Sequence, residues 1–186
     1  EAIKVAQTMP DVGTVQSLLL RPAPDGAGRG DNPQQINSKG NALHFLGFGY
    51  CMGDHDPVSS APSEPVEVGY SSGAGVLIPV STLQTIGLLD ETLHSYHEDL
   101  DLGWRVLLNG KKNYLAPASR VIHKYEFSRS ISKWRFMERN RWLVLLKNYR
   151  LATLIVLSPA LLATDLAIWA FSVKGGWLKE KFFANL

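Results

Sequence analysis

"SYHEDLDLGWRVLLNGKKNYLAPASRVIH", residues 95–123, decides how the chain reads. From Glu98 the apolar side chains Leu100, Trp104, Leu107 and Leu108 recur at i, i+4, i+7 and i+8, which is one face of a helix. Glu98, Asp99 and Asp101 fall in its first turn, where the helix dipole favours anions. Asn109-Gly110 ends it. "NYL" and "RVIH" follow as two short strands separated by Pro117. The acids have a purely structural reading: Asp101 sits four residues before Arg105, the spacing of a surface ion pair worth a few tenths of a kcal/mol. Gly103 argues for something more. It lies four residues after Asp99, on the same side of the helix, where a glycine costs about 1 kcal/mol against alanine. It leaves open space beside the Asp99 carboxylate, as the close approach of a ligand requires.

Upstream, "GTVQSLLL" (residues 13–20) reads as an apolar strand, and residues 21–41, rich in Gly, Pro, Asp and Asn, as a long loop. "NALHFLGFGYCMG" (41–53) is a short strand and a bend, and "DHDPVSSAPSEP" (54–65) a second polar loop. "VEVGY" (66–70) alternates as a strand does. The small residues "SSGAG" (71–75) let a ligand or another backbone come close; a simple tight turn explains them equally well. "STLQTIG" is a short helix with Ser81 as N-cap and Gly87 as its stop. Helical composition begins at Ser132.

The bulk numbers bound the classes. A chain of 186 residues, 45% hydrophobic, supports one cored domain with an appendage. A net charge of +2 marks neither a nucleic-acid binder nor an acidic tail, although "KWRFMERNRW" interleaves cations with aromatics. The single cysteine, Cys51, forms no internal disulfide and fits a reducing compartment. The chain opens on Glu1 without a signal-peptide pattern, so a fragment or a processed product is expected.

The tail changes character. "LATLIVLSPALLATDLAIWAF" (151–171) is long enough to cross a bilayer, with Lys147 and Arg150 before it and Lys174, Lys179 and Lys181 after. Asp165 is the objection to a crossing, since an acid at the bilayer centre costs about 2.5–3.5 kcal/mol. Three readings stay open: a spanning helix, an interfacial pair of helices bent at Pro159, and a buried helix of a soluble core.

The ordered string from "GYSSGAGVLIP" through "GLLDETLHSYHEDLDLGWR", the proline turn and "RVIH" to "ERNRW" resembles the family 2 glycosyltransferases, closest to the rhamnosyltransferase-like subgroup. The resemblance covers about Val66 to Leu146. It implies an α/β fold, part of a GT-A (Rossmann-like) nucleotide-diphospho-sugar transferase domain, over residues 1–148. Residues 149–186 then form an apolar, membrane-associated helical tail. It implies transfer of a sugar, with inversion, from a nucleotide-sugar donor to a lipid-linked or cell-surface glycan acceptor at the cytoplasmic face of the membrane. Asp99 matches the family's general base, and Glu98 is its neighbour. Gly73 and Ala74 match the segment lining the sugar and acceptor site. Arg139 and Arg141 stand where basic residues face the diphosphate. His123 matches the histidine that completes a divalent metal site (Mg or Mn) in some members. No nucleic-acid partner is implied. The family's N-terminal half, with its metal-binding Asp-x-Asp, has no counterpart here, and "DHD" (54–56) reads as a loop acid pair rather than its substitute. The chain by itself is therefore expected to be inactive. A non-catalytic membrane-associated scaffold is the alternative. A processive polysaccharide synthase fits less well, because "ERNRW" lacks the glutamine of that group's motif.

Overall fold

The structure, a computed structural model, describes residues 1–22, 35–124 and 131–184. It is mixed α/β and divides into two compact units. One comprises residues 1–43, 49–89 and 99–125; the other comprises 44–48, 90–98 and 126–186. The long loop expected over 21–41 falls largely outside the described residues. Within its described part, Ile36–Ser38 forms a strand instead.

The first unit is built on two parallel strands, β1 (Val12–Leu20) and β7 (Lys112–Ile122). Every residue of β1 is buried, as suits an apolar run covered on both faces. Its other edge carries β2 (Ile36–Ser38) near one end and β6 (Val76–Leu77) in the middle, both antiparallel. β5 (Val66–Val68) closes the far side of β7. The short pair β3 (Asn41–Leu43) and β4 (Gly49–Cys51) forms a separate ladder. Pro117 does not split β7 into two strands. The pairing with β1 jumps from Ser17–Ala116 to Leu18–Arg120, so residues 117–119 bulge out of a strand that continues past them. That is where a residue without an N–H fits. The helix α1 (Ala2–Thr8) covers one cluster, Val5, Val12, Val15, Tyr114 and Ala116. A second cluster gathers Leu18, Leu20, Ile36, Val68 and Leu115.

Two helices complete this unit. α2 spans Val80–Ile86; its N-cap position is Pro79, so Ser81 lies inside the helix and does not cap it, while Gly87 (φ +83°) stops it as expected. α3 spans Glu98–Leu108 and ends at Gly110, φ +72°. Its buried face is Leu100, Leu102, Gly103, Trp104 and Val106, whereas Leu107 and Leu108 are exposed. The Asp101–Arg105 pair is not a surface pair. Asp101 is fully buried, 2.9 Å from the Arg105 Nε. The guanidinium also donates to the carbonyls of Ile86, Gly87 and Leu88, tying α3 to the end of α2.

The second unit holds α4 (Lys133–Asn148), α5 (Leu151–Lys174) and α6 (Leu178–Ala184). α5 runs unbroken through Pro159, so no hairpin forms there. Asp165, the odd charge of the apolar run, lies 2.6 Å from Lys181 and 3.7 Å from Arg141. Lys181 and Arg141 both reach Glu138 at 2.7 Å, which closes a four-membered, largely buried ionic cluster. Burial of charge is tolerated where every member is paired.

Gly103 does not leave space for a ligand. A Cβ there would sit 2.3 Å from the Tyr70 Cβ and 3.0 Å from its Cα. Gly103→Ala is therefore expected to lower the unfolding free energy in urea by about 1–3 kcal/mol, overriding alanine's better helix propensity. A more stable variant would remove the packing role.

Candidate functional site

Asp99 stands at the start of α3, in the first unit, and meets the loop 71–75. The Gly73 N–H donates to its Oδ2 at 3.0 Å, and the Leu100 N–H donates to its Oδ1 at 2.8 Å. The carboxylate is thus oriented by two backbone donors. The glycine beside Asp99 is Gly73, where a Cβ would come 3.8 Å from the Asp99 Cβ, and not Gly103. Gly73 and Ala74 are both exposed. The structure brings Asp99, Gly73 and Ala74 to one place.

What fixes that loop is a buried polar network that sequence reasoning missed. The Asn113 side chain, on β7, donates to the carbonyls of Gly69 and Gly103 at 3.0 and 3.1 Å. Its Oδ1 accepts from the Thr14 hydroxyl at 2.6 Å. With that proton spent, the Ser71 hydroxyl is the donor in its 2.7 Å bond with Thr14. One step along, the Gln16 Oε1 accepts from the Ser72 N–H, and its Nε2 donates to Ser38. The Ser17 N–H donates to the Gly75 carbonyl. Thr14, Gln16, Ser38, Ser71 and Asn113 are all buried, so each bond exchanges little with water. The one sequence signal was alternation: Thr14 and Gln16 are polar residues in a strand that is otherwise almost wholly apolar.

The proposed metal ligand His123 follows β7, and its Nδ1 lies 2.9 Å from the Asn37 Oδ1. Desolvation holds its pKa below the usual histidine value. The acids of "DHD" are committed to cations: Asp54 takes a bidentate contact from Arg21 at 2.7 and 2.9 Å, and Asp56 lies 2.8 Å from Lys39. Among the described residues no group of three or more His, Cys, Asp or Glu side chains is arranged to hold a metal ion. Cys51 is exposed as a residue, yet its thiol is pushed above its ordinary value, first by desolvation and then by the carboxylates of Asp54 and Asp99.

In the second unit the remaining candidates have structural partners. Arg141 is buried and forms a fork with Glu138 at 2.9 and 2.7 Å, with a further bond to the Leu46 carbonyl. Arg139 donates to the Thr92 carbonyl at 2.5 Å and to the Asn140 Oδ1 at 3.0 Å. Asn140, between them, is fully buried. Its Nδ2 lies 2.7–2.8 Å from the carbonyls of Leu93, Ser95 and Tyr96. The segment it holds is strained, with His94, Tyr96 and His97 at φ +57°, +66° and +69°. Non-glycine residues in that region persist only where surrounding contacts over-determine them, and such strain clusters at functional sites. The strained segment ends at Glu98, whose Oε2 is buried with no hydrogen-bond partner among the described residues. The same is true of the His97 Nε2. His97 also lines a cavity of about 180 Å3 with Trp134, Glu138, Arg141, Phe171 and Trp177.

No protein-family model matches the chain, and a search of curated proteins finds no match.

Burial pushes the His97 pKa down to about 4 from its ordinary 6.5. The folded state thus disfavours the imidazolium relative to the unfolded chain. This neutral histidine leaves stability untouched above pH 6.5 and lowers it as the pH falls from 6.5 to 4, with no further loss below. His97→Gln is expected to flatten this part of the curve of unfolding free energy against pH. An unchanged slope would assign the acid sensitivity to other groups.

Proposed function

We propose that this chain carries the acceptor-side half of an inverting glycosyltransferase of GT-A architecture. It would move a sugar from a nucleotide-sugar donor to a hydroxyl of a lipid-linked or cell-surface glycan at the cytoplasmic face of a membrane. The observation that supports it most is the Asp99 carboxylate, oriented by the Gly73 and Leu100 N–H groups beside an exposed small-residue loop. Asp99 takes the proton of the acceptor hydroxyl as that oxygen attacks the anomeric carbon. The bond from that carbon to the diphosphate breaks, and the nucleoside diphosphate leaves with the electron pair. Attack from the face opposite the leaving group inverts the centre, so a single base suffices and no covalent enzyme intermediate forms. A positioned base of this kind contributes about 10²–10⁴-fold. Gly73 and Ala74 leave room for the sugar. Glu98 is the neighbouring acid.

The donor side is less well represented. A divalent cation, Mg or Mn, belongs to the reading as a cofactor, but the described residues offer it no cradle, and His123 alone does not make one. Arg139 retains partial exposure and is the better of the two arginines for a diphosphate; the bonds of buried Arg141 go to Glu138 and Leu46. This chain by itself is therefore expected to give no turnover. The second reading, a non-catalytic membrane-associated scaffold, is favoured by one observation, the exposed apolar helix α5.

The test is Asp99→Asn in the protein as the cell makes it. Sugar transfer should fall by about 10² or more while donor binding, read by titration calorimetry, stays unchanged. Transfer at the original rate would remove Asp99 from the base role.

A further inference from the structure

We infer that α5 lies in the plane of an anionic lipid surface, with both ends on the same side, and does not cross the bilayer. The inference deepens the membrane association proposed above and rests on that part of it; it is independent of the sugar chemistry.

The helix has two faces. Leu154, Leu161, Asp165, Ile168 and Ser172 follow one stripe, and Leu161 and Ser172 are buried. Leu151, Ile155, Leu162, Leu166 and Val173 follow a second stripe, about 100° round the helix from the first at 3.6 residues per turn, and each is more than 60% exposed. The outer stripe is about 33 Å long at 1.5 Å per residue. No acid or base lies on it between Arg150 and Lys174. An apolar surface of this length is far beyond the scattered exposed side chains of a soluble protein and marks an interaction site.

The attachments decide its orientation. At its start, α5 is joined to the end of α4 by Tyr149 and Arg150 alone. Near its end it returns to the first half of α4. Asp165 meets Arg141, Phe171 meets Trp134 edge-on at 6.1 Å, and Trp177, just after α5, stacks on Trp134 at 5.1 Å. Lys181 of α6 joins Glu138 of α4 to Asp165 of α5. The two attachment points on α4, Trp134 and Asn148, are 14 residues apart, or about 21 Å. That is less than the roughly 30 Å hydrocarbon core. For the ends of α5 to lie on opposite sides, α4 would have to enter the bilayer too. α4 carries Lys133, Arg135, Glu138, Arg139, Arg141 and Lys147 in 16 residues, which forbids it. The charge-free run from Leu151 to Thr164 is also too short, at about 21 Å, to span before Asp165.

Lipid is the occupant because of what flanks the stripe. Arg150 and Lys174 are exposed at its two ends, with Lys179 exposed just beyond. An apolar stripe bracketed by cations matches acyl chains bordered by anionic headgroups. A second copy of the chain would set like charges against each other at these same ends.

The test has two arms. The purified chain is mixed with vesicles of phosphatidylcholine containing about a third phosphatidylglycerol, and with vesicles of phosphatidylcholine alone. Binding to the anionic vesicles is expected, several-fold weaker binding to the neutral ones, and a loss of about tenfold or more in Ile155→Glu/Leu162→Glu. Both positions face outward, so the variant should keep its circular dichroism spectrum. In the second arm Arg150→Cys and Lys174→Cys are made separately in a Cys51→Ser background. Membranes from cells making each variant are treated, as sealed right-side-out and inverted vesicles, with a membrane-impermeant maleimide. Both cysteines should react in the same vesicle orientation. Reaction in opposite orientations would overturn the in-plane inference while leaving membrane association standing. No vesicle binding, or a dimer in solution that ignores lipid, would overturn both.

Discussion

The side chain of Asn113 is the joint on which the first unit depends. One amide accepts from β1 and donates to two carbonyls, one before the loop 71–75 and one in the middle of α3. It sits where the backbone of α3 comes closest to Tyr70, an approach that only a glycine at 103 permits. Remove that amide and the buried carbonyl of Gly103 loses its partner, at about 1–3 kcal/mol, as does the part-buried carbonyl of Gly69. The bond from Gly73 to Asp99 follows from this arrangement, because both partners sit on segments that Asn113 and its neighbours hold. A buried polar group is costly when unpaired and specific when fully paired. Here it sets the register between a loop of small residues and the carboxylate they face.

The second unit solves a different problem with charge. Glu138, Arg141, Asp165 and Lys181 are mutually paired where α4, α5 and α6 meet. Asp165 is thus the anchor that turns one face of an apolar helix inward. The stripe Leu151, Ile155, Leu162, Leu166 and Val173 is left exposed among the described residues.

Legibility differed by the range of the interaction. β1 could be read from its apolar run, and the ends of α2 and α3 from Gly87 and Gly110, because these are local properties of the chain. Asp99 and Gly73 stood out through an ordered string of motifs, and the structure places them 3.0 Å apart through a hydrogen bond. Gly103 was misread. The atom that fills its space belongs to Tyr70, 33 positions earlier, and no local pattern reveals that. Asp101–Arg105 looked like a surface pair because the spacing is local, while its burial is set by tertiary packing. Asn113 and Asn140 were invisible for the same reason: an asparagine among polar neighbours reads as surface until its distant carbonyl partners are known. Pro117 was taken as a break, but a bulge absorbs it.

The central claim is a single-displacement sugar transfer driven by one base. Its most direct measurement is the anomeric configuration of the first product, read by proton NMR before it can equilibrate, with the protein as the cell makes it and a panel of nucleotide sugars. The account predicts inversion relative to the donor. A retained configuration, or no transfer from any member of the panel, would contradict it.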